Sequence, residues 1–224
     1  MIFILTGAGL SAESGLGTFR DEGGVWSHYD LREVATPEGW AANPVKVHDF
    51  YNARRANAAS ARPNAAHEAL VRLQRNRDVG LVTQNVDALL DRAGARDVLH
   101  MHGRLDRALC GKCGATWEAP MVMDPLDHCC ECGAQKTRPD VVWFGEMPQG
   151  LEIIEDGLAR AELFVAIGTS GTVYPAAGFV EAARAGGVET LEINMEPTGG
   201  RFDRGLYGPA SEAVPEWVET ELNR

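Results

Sequence analysis

The sequence has no apolar run approaching the length of a membrane span, and Met1 to Leu5 is too short and too poor in flanking basic residues to be an export signal. A cytoplasmic compartment is expected. Positive charge is in deficit as well: 21 basic against 32 acidic side chains leave a formal net charge of −11, which argues against a nucleic-acid surface. The deficit is not reversed in the cysteine-bearing stretch, where Arg104, Arg107, Lys112, Lys136 and Arg138 are balanced by Asp106, Glu118, Asp124, Asp127 and Glu131. A metal module without a local positive excess suits a structural clip better than a DNA reader. There is no internal repeat, low-complexity tract or obvious linker. At 224 residues, 45% hydrophobic and 24% charged, the chain can form one large domain with a small inserted module and a sizeable core.

Cysteine is scarce, with five in all, yet four fall into two C-x2-C pairs, Cys110/Cys113 and Cys129/Cys132. Thiolates are soft ligands, zinc takes four of them in a tetrahedron, and a two-residue spacing lets one tight turn aim both sulfurs at one ion. Gly114 and Gly133 follow the pairs where positive φ is useful. Cys130 or His128 could replace Cys129, but only Cys129 with Cys132 repeats the first spacing, so Cys130 is left as a spare thiol. Two disulfides are the alternative, disfavoured because cytosolic thiols stay reduced.

Apolar β-rich runs alternate with helical stretches, the pattern of an α/β fold with a parallel sheet covered on both faces. Expected strands are Ile2 to Thr6, Val79 to Thr83, Val98 to Met101, Val141 to Phe144, Leu163 to Ile167 and Thr190 to Ile193. Expected helices cover Val45 to Ala59, Asn64 to Asn76 with Asn64 as N-cap, Leu151 to Arg160, Ala176 to Ala185 and Ser211 to Leu222. Two stretches interrupt the alternation. The expected organisation is therefore one unit over 1–224: a Rossmann-like large lobe (1–22, 63–103 and 140–224), a helical module (23–62) and a zinc module (104–139), the last two forming a small lobe.

Gly7-x-Gly9-x-x-Ala12 after the first strand fits a relaxed dinucleotide fingerprint, in which small residues let backbone amides approach a pyrophosphate. The acidic ribose ligand of an ordinary Rossmann unit, about 20 residues on, is missing. That distance reaches Gly23-Gly24-Val25-Trp26, which is no strand, so the cofactor must be held in another way. Three more strand ends carry polar groups: Thr83-Gln84-Asn85-Val86-Asp87, Gly168-Thr169-Ser170 and Asn194-Met195-Glu196. Ligands of open α/β sheets bind outside the carboxyl ends of strands, so four such ends point to one cleft.

These motifs, with Ser11, Ser14-Gly15, Phe19-Arg20, His102-Gly103 and Arg138-Pro139-x-Val141-Val142-x-Phe144-Gly145-Glu146, resemble the sirtuins, NAD-dependent protein lysine deacylases. The resemblance runs in order from Ile4 to Ala210-Ser211. One departure is Leu16-Gly17-Thr18-Phe19 in place of the usual Ile-Pro-Asp-Phe. The resemblance implies NAD as co-substrate and one structural zinc. Nicotinamide would leave, the acyl oxygen of a substrate lysine would attack C1′, and a ribose hydroxyl would close on the acyl carbon, a step that needs a base. His102 is assigned that role, because imidazole titrates near neutral pH, and His100 is left as packing. Asn85, counted with His102 as catalytic, and Asp87 would hold the nicotinamide carboxamide and ribose, and Gln84 the ribose hydroxyls. Ser11, Thr169 and Ser170 would bind phosphates, Asn194 the adenosine ribose, and Phe19 would shield C1′. Gly7, Ala8, Gly9, Glu13, Ser14, Arg20, Trp26, Val86, Gly168, Met195, Glu196 and Ala210 complete the implied cofactor set.

The implied partners are acyl-lysine side chains of proteins, paired through a strand edge at Val141 to Gly145 with Val142, Trp143, Phe144 and Gly145 in contact. A monomer without membrane or nucleic-acid partners is expected. Tyr51 and Arg54, three apart on an expected helix, project from one face, and a guanidinium beside a phenol suits a carboxylate. Their spacing resembles the Tyr-x-x-Arg of class III sirtuins, which remove succinyl, malonyl or glutaryl groups. A plain surface helix, with Arg55 adjacent, is the alternative for that pair. For the whole chain the alternatives are a deacetylase or an NAD-binding oxidoreductase.

Overall fold

Five-residue runs of apolar side chains, too short for helices, build the centre of the molecule. The computed structural model describes residues 1–17, 29–171 and 173–224. Within these residues the strands are β1 (Ile2–Thr6), β2 (Val79–Thr83), β3 (Leu99–His100), β4 (Gly103–Cys110), β5 (Thr116–Glu118), β6 (Thr137–Val141), β7 (Leu163–Ile167), β8 (Glu189–Asn194) and β9 (Arg204–Tyr207). The helices are α1 (Leu31–Val34), α2 (Pro37–Ala42), α3 (Pro44–Ser60), α4 (Ala65–Asn76), α5 (Leu89–Ala93), α6 (Leu151–Arg160), α7 (Phe179–Ala185) and α8 (Ala210–Leu222).

Six strands form a parallel sheet in the order β3-β2-β1-β7-β8-β9. The chain leaves β1 toward β2 and β3 on one side, then returns to β7, β8 and β9 on the other. A doubly wound sheet opens a crevice where the winding reverses, here between β1 and β7. Every residue of β1 and β7 is buried, as continuous apolar strands covered on both faces should be. Ile4, Leu81 and Val165 face α4 and α8 through Leu70, Leu73, Val214 and Val218. Phe3, Leu5 and Phe164 face α6 and α7 through Ile154, Leu158, Phe179 and Val180. A third core, with Val47, Phe50, Tyr51, Leu105, Val141 and Trp143, joins α3 to the three-stranded antiparallel sheet β5-β4-β6.

Three expectations change, and the last strand of the parallel sheet was not expected. Val141 to Phe144 is not a strand of the parallel sheet: the strand is Thr137–Val141 and pairs with β4, because Val142 N–H and Phe144 N–H bond to His102 and Ala35 instead of to a neighbouring strand. Strand β9, exposed throughout, has no apolar signature and escaped the sequence. The helix expected from Ala176 starts at Phe179 after a 3-10 turn, and the third expected strand shrinks to Leu99–His100. Elsewhere local chemistry sets the ends as read: Asn64 caps α4, with its side chain accepting from Ala66 N–H and His67 N–H. No helix among the described residues is long and apolar enough to cross a membrane.

Candidate active site

Thr6, Thr83, Ile167 and Asn194 end their strands at one edge of the sheet, and the four polar turns of the sequence follow them there. Backbone packs on backbone at this edge. Gly7 N–H donates to Ile167 O at 2.9 Å and Gly9 N–H to Gly168 O at 2.8 Å, while a Cβ on Gly9 would lie 2.6 Å from Gly168 Cα. Gly168 has φ +62°, and a Cβ there would approach Leu10 N to 2.5 Å. Such a close, side-chain-free turn leaves room for a pyrophosphate against amides, so the residues fit a dinucleotide. Gly168→Ala is expected to cost about 2 kcal/mol of stability through overpacking and strain. Thermal unfolding measures that loss, and calorimetric titration should show weakened NAD binding.

Beside this turn lies a bonded polar group. Ser11, buried, donates its hydroxyl to Asp87 Oδ2 at 3.1 Å and accepts from Asn85 Nδ2 at 3.1 Å, and the same amide donates to Gly7 O at 3.0 Å. Asp87 Oδ1 in turn accepts from Leu89 N–H. Burial raises the Asp87 carboxyl above its ordinary value, partly offset by the bonds from Leu89 and Ser11. His67, absent from the sequence reading, lies behind Ser11 at 3.5 Å, and burial pulls it down to about 4, so it is neutral. Its signal was its place three residues after the Asn64 cap, on a helix face that also carries Leu70 and Leu73.

His102 follows β3 and its Nδ1 stands 3.1 Å from Gln84 O. A carbonyl can only accept, so Nδ1 carries the proton and Nε2 keeps a lone pair. Burial lowers the imidazole below its ordinary value, the Gln84 bond partly opposing this, which leaves it a neutral base at pH 7. His100 does more than pack: its Nε2 lies 2.9 Å from Asp91, which also pairs with Arg104 at 3.0 Å.

On α3, Tyr51 and Arg54 share a face, with the guanidinium carbon 5.7 Å from the phenol ring centre. Burial lowers Arg54 from its ordinary value, opposed by Tyr51 and Asp87, and burial raises the Tyr51 phenol, which therefore stays protonated. Arg55 has a different occupation. It is 4% exposed and donates to Leu105 O at 2.7 Å, Asn52 Oδ1 at 2.8 Å and Met121 O at 3.2 Å, while Asn52 donates to Met123 O at 2.9 Å. Arg55 thus ties α3 to the cysteine lobe, and Arg54 is the arginine beside the phenol. Trp143 is buried, Phe144 is exposed and Val142 lies between. With Val142 and Phe144 amides engaged inward, Gly145 N–H has no partner among the described residues.

The four paired cysteines converge. Their Sγ atoms lie within 4.8 Å of one another, with 3.7 Å between Cys110 and Cys132 and between Cys113 and Cys129. Tetrahedral zinc with bonds of about 2.3 Å requires sulfurs about 3.8 Å apart, so the set fits one ion. Lys112 N–H and Glu131 N–H each point at a sulfur at 3.4 Å, stabilising negative charge there. Cys129, not Cys130 or His128, completes the cluster. Cys130→Ser should therefore retain one zinc per chain by mass-spectrometric metal analysis, whereas Cys129→Ser should not.

Of the other expected cofactor residues, Glu13 bonds Ser211 N–H at 2.8 Å, holding the first turn against α8 where Ala210 begins. Ser14 accepts from Asn64, and Asn194 Nδ2 donates to Thr169 O at 2.6 Å. Met195 and Glu196 are exposed after β8. Val86 packs against the third core. Ala8 opens the first 3-10 turn. Phe19, Arg20 and Trp26 lie outside the described residues.

Comparison with known proteins agrees with this arrangement. The Sir2 family profile matches residues 7–175. A protein of Caulobacter vibrioides named NAD-dependent protein deacylase is 57% identical, across 100% of this chain and 97% of its own. A Sir2 homologue solved with NAD is 38% identical with a TM-score of 0.90, covering 99% of this chain and 90% of that one. The structure of Sir2Af2 with a myristoylated histone peptide is 31% identical with a TM-score of 0.77, covering 100% and 91%.

Proposed function

Because the chain belongs to the Sir2 family and is an NAD-dependent protein deacylase, we propose that it removes acidic acyl groups, succinyl and malonyl foremost, from protein lysines, and acetyl groups as well. The supporting observation is the Tyr51–Arg54 pair: a half-buried cation beside a buried, neutral phenol on one helix face, arranged for a carboxylate and of little use to an acetyl group. Bound NAD supplies the ADP-ribose that receives the acyl group, with nicotinamide, free lysine and O-acyl-ADP-ribose as products. Asn85 and Asp87 hold the nicotinamide end, braced by Ser11, while the Gly7–Gly9 turn, Thr169 and Ser170 hold phosphates and Asn194 the adenosine ribose. Gln84 contacts ribose hydroxyls, and its carbonyl fixes the His102 tautomer so that Nε2 can take a hydroxyl proton. A peptide backbone docks through the Gly145 amide. The zinc thiolates fit a reducing cytoplasm.

Mass spectrometry of succinyl- and acetyl-lysine peptides, with and without NAD, tests the assignment. Removal of the succinyl group with NAD and its persistence without NAD are the expected result, and removal of acetyl alone would overturn it.

A further inference from the structure

Trp143 is 2% exposed and its indole N–H donates to Tyr51 Oη at 3.0 Å. An indole can only donate, so this bond fixes which side of the phenol oxygen accepts. Tyr51 is itself 1% exposed, and among the described residues its hydroxyl hydrogen has no acceptor. A buried donor without an acceptor is costly, and the cost is relieved when a ligand oxygen arrives.

The indole is held from two directions. Arg138 stacks on its face, guanidinium carbon 3.6 Å from the ring centre, and grips Glu146 with bonds of 2.7 and 2.8 Å. Glu146 Oε2 also accepts the Trp143 backbone N–H at 2.9 Å, and Arg138 donates to Val141 O at 2.9 Å. Burial pushes the Glu146 carboxyl up, but the Arg138 fork and the Trp143 amide hold it below its ordinary value, so the brace stays ionised at neutral pH. One ion pair therefore sets both the backbone and the ring of Trp143 before any substrate binds.

We infer that Trp143 is a positioning residue for acidic acyl groups: its indole N–H occupies one side of the Tyr51 oxygen and turns the phenol hydrogen toward a carboxylate held by Arg54. This rests on the acidic-acyl reading above. A phenylalanine at this position would keep the stack on Arg138 and most of the buried area, but would free the Tyr51 hydroxyl to rotate.

The test compares wild type, Trp143→Phe, Tyr51→Phe, the double variant and Arg54→Met on succinyl- and acetyl-lysine peptides at saturating NAD. Trp143→Phe should lower the succinyl-to-acetyl ratio of kcat/KM roughly five-fold, the weight of one buried hydrogen bond, chiefly through KM. The double variant should lower it no further than Tyr51→Phe alone, because the indole acts through that hydroxyl. Additive effects, an unchanged ratio, or equal losses on both peptides would overturn the inference. Glu146→Gln, which loosens the brace and keeps both rings, should shift the same ratio about two-fold; no shift counts against the assignment. If Arg54→Met is selective and Trp143→Phe is not, the positioning role alone fails. If wild type and Arg54→Met treat both peptides alike, the acidic-acyl reading fails and takes this role with it.

Discussion

His102→Ala is expected to lower kcat on succinyl- and acetyl-lysine peptides alike by about 100- to 10,000-fold, the range spanned by loss of a general base. The structure gives the reason for both the size and the lack of acyl discrimination. Gln84 O fixes the Nδ1 proton, so the free Nε2 is the basic atom, and burial keeps the ring neutral. As the proposed base, His102 would act on a hydroxyl of the cofactor and not on the acyl chain, so both substrates should suffer together. The pH dependence follows in sign. Because the imidazole sits below its ordinary 6.5, wild-type activity should remain through pH 7 and fall only as acid protonates Nε2 below that value. His102→Ala should lose this acid limb. Single-turnover rates from pH 5 to 8 measure both, and a limb unchanged in the variant would assign the base elsewhere.

Arg54→Met is expected to lower kcat/KM for succinyl-lysine peptides by about 100-fold, with a far smaller effect on acetyl-lysine peptides. Truncating one partner of a buried charge pair commonly costs 2–5 kcal/mol, about 30-fold or more, because the remaining carboxylate is left in a poorly solvated pocket. An acetyl group brings no such charge. Methionine keeps much of the volume without the guanidinium, so the neighbouring Phe50 and Tyr51 rings retain a packing partner. Parallel rate measurements on the two peptides check this, and equal loss on both would show that Arg54 supports the helix and not the acyl group.

Much of this was legible in the residues because their chemistry is local. Strand runs such as Leu163–Ile167 carry a continuous apolar signal, Asn64 marks a helix start, and two C-x2-C pairs need only short turns to converge. The choice of Cys129 over Cys130 followed from spacing alone and holds. What stayed hidden depends on tertiary placement. Spacing from Tyr51 picks out Arg54, but that Arg55 ties α3 to the cysteine lobe shows only in the packing. Val142 to Phe144 has strand-like composition, yet its amides are claimed by His102 and Ala35, which no periodicity reveals. Strand β9 is exposed on both faces, and His67 looks like any residue on an apolar helix stripe until Ser11 is seen beside it.

Helix α3 is gripped on one flank, where Asn52 and Arg55 hold carbonyls of Leu105, Met121 and Met123, and on the other carries Tyr51 and Arg54, the pair proposed to meet the acyl chain. Stripping the metal would slacken the lobe that supplies those carbonyls. The enzyme's taste for one modification over another should then blur before its capacity to cleave any of them disappears, so that a chelator acts first as a loss of discernment.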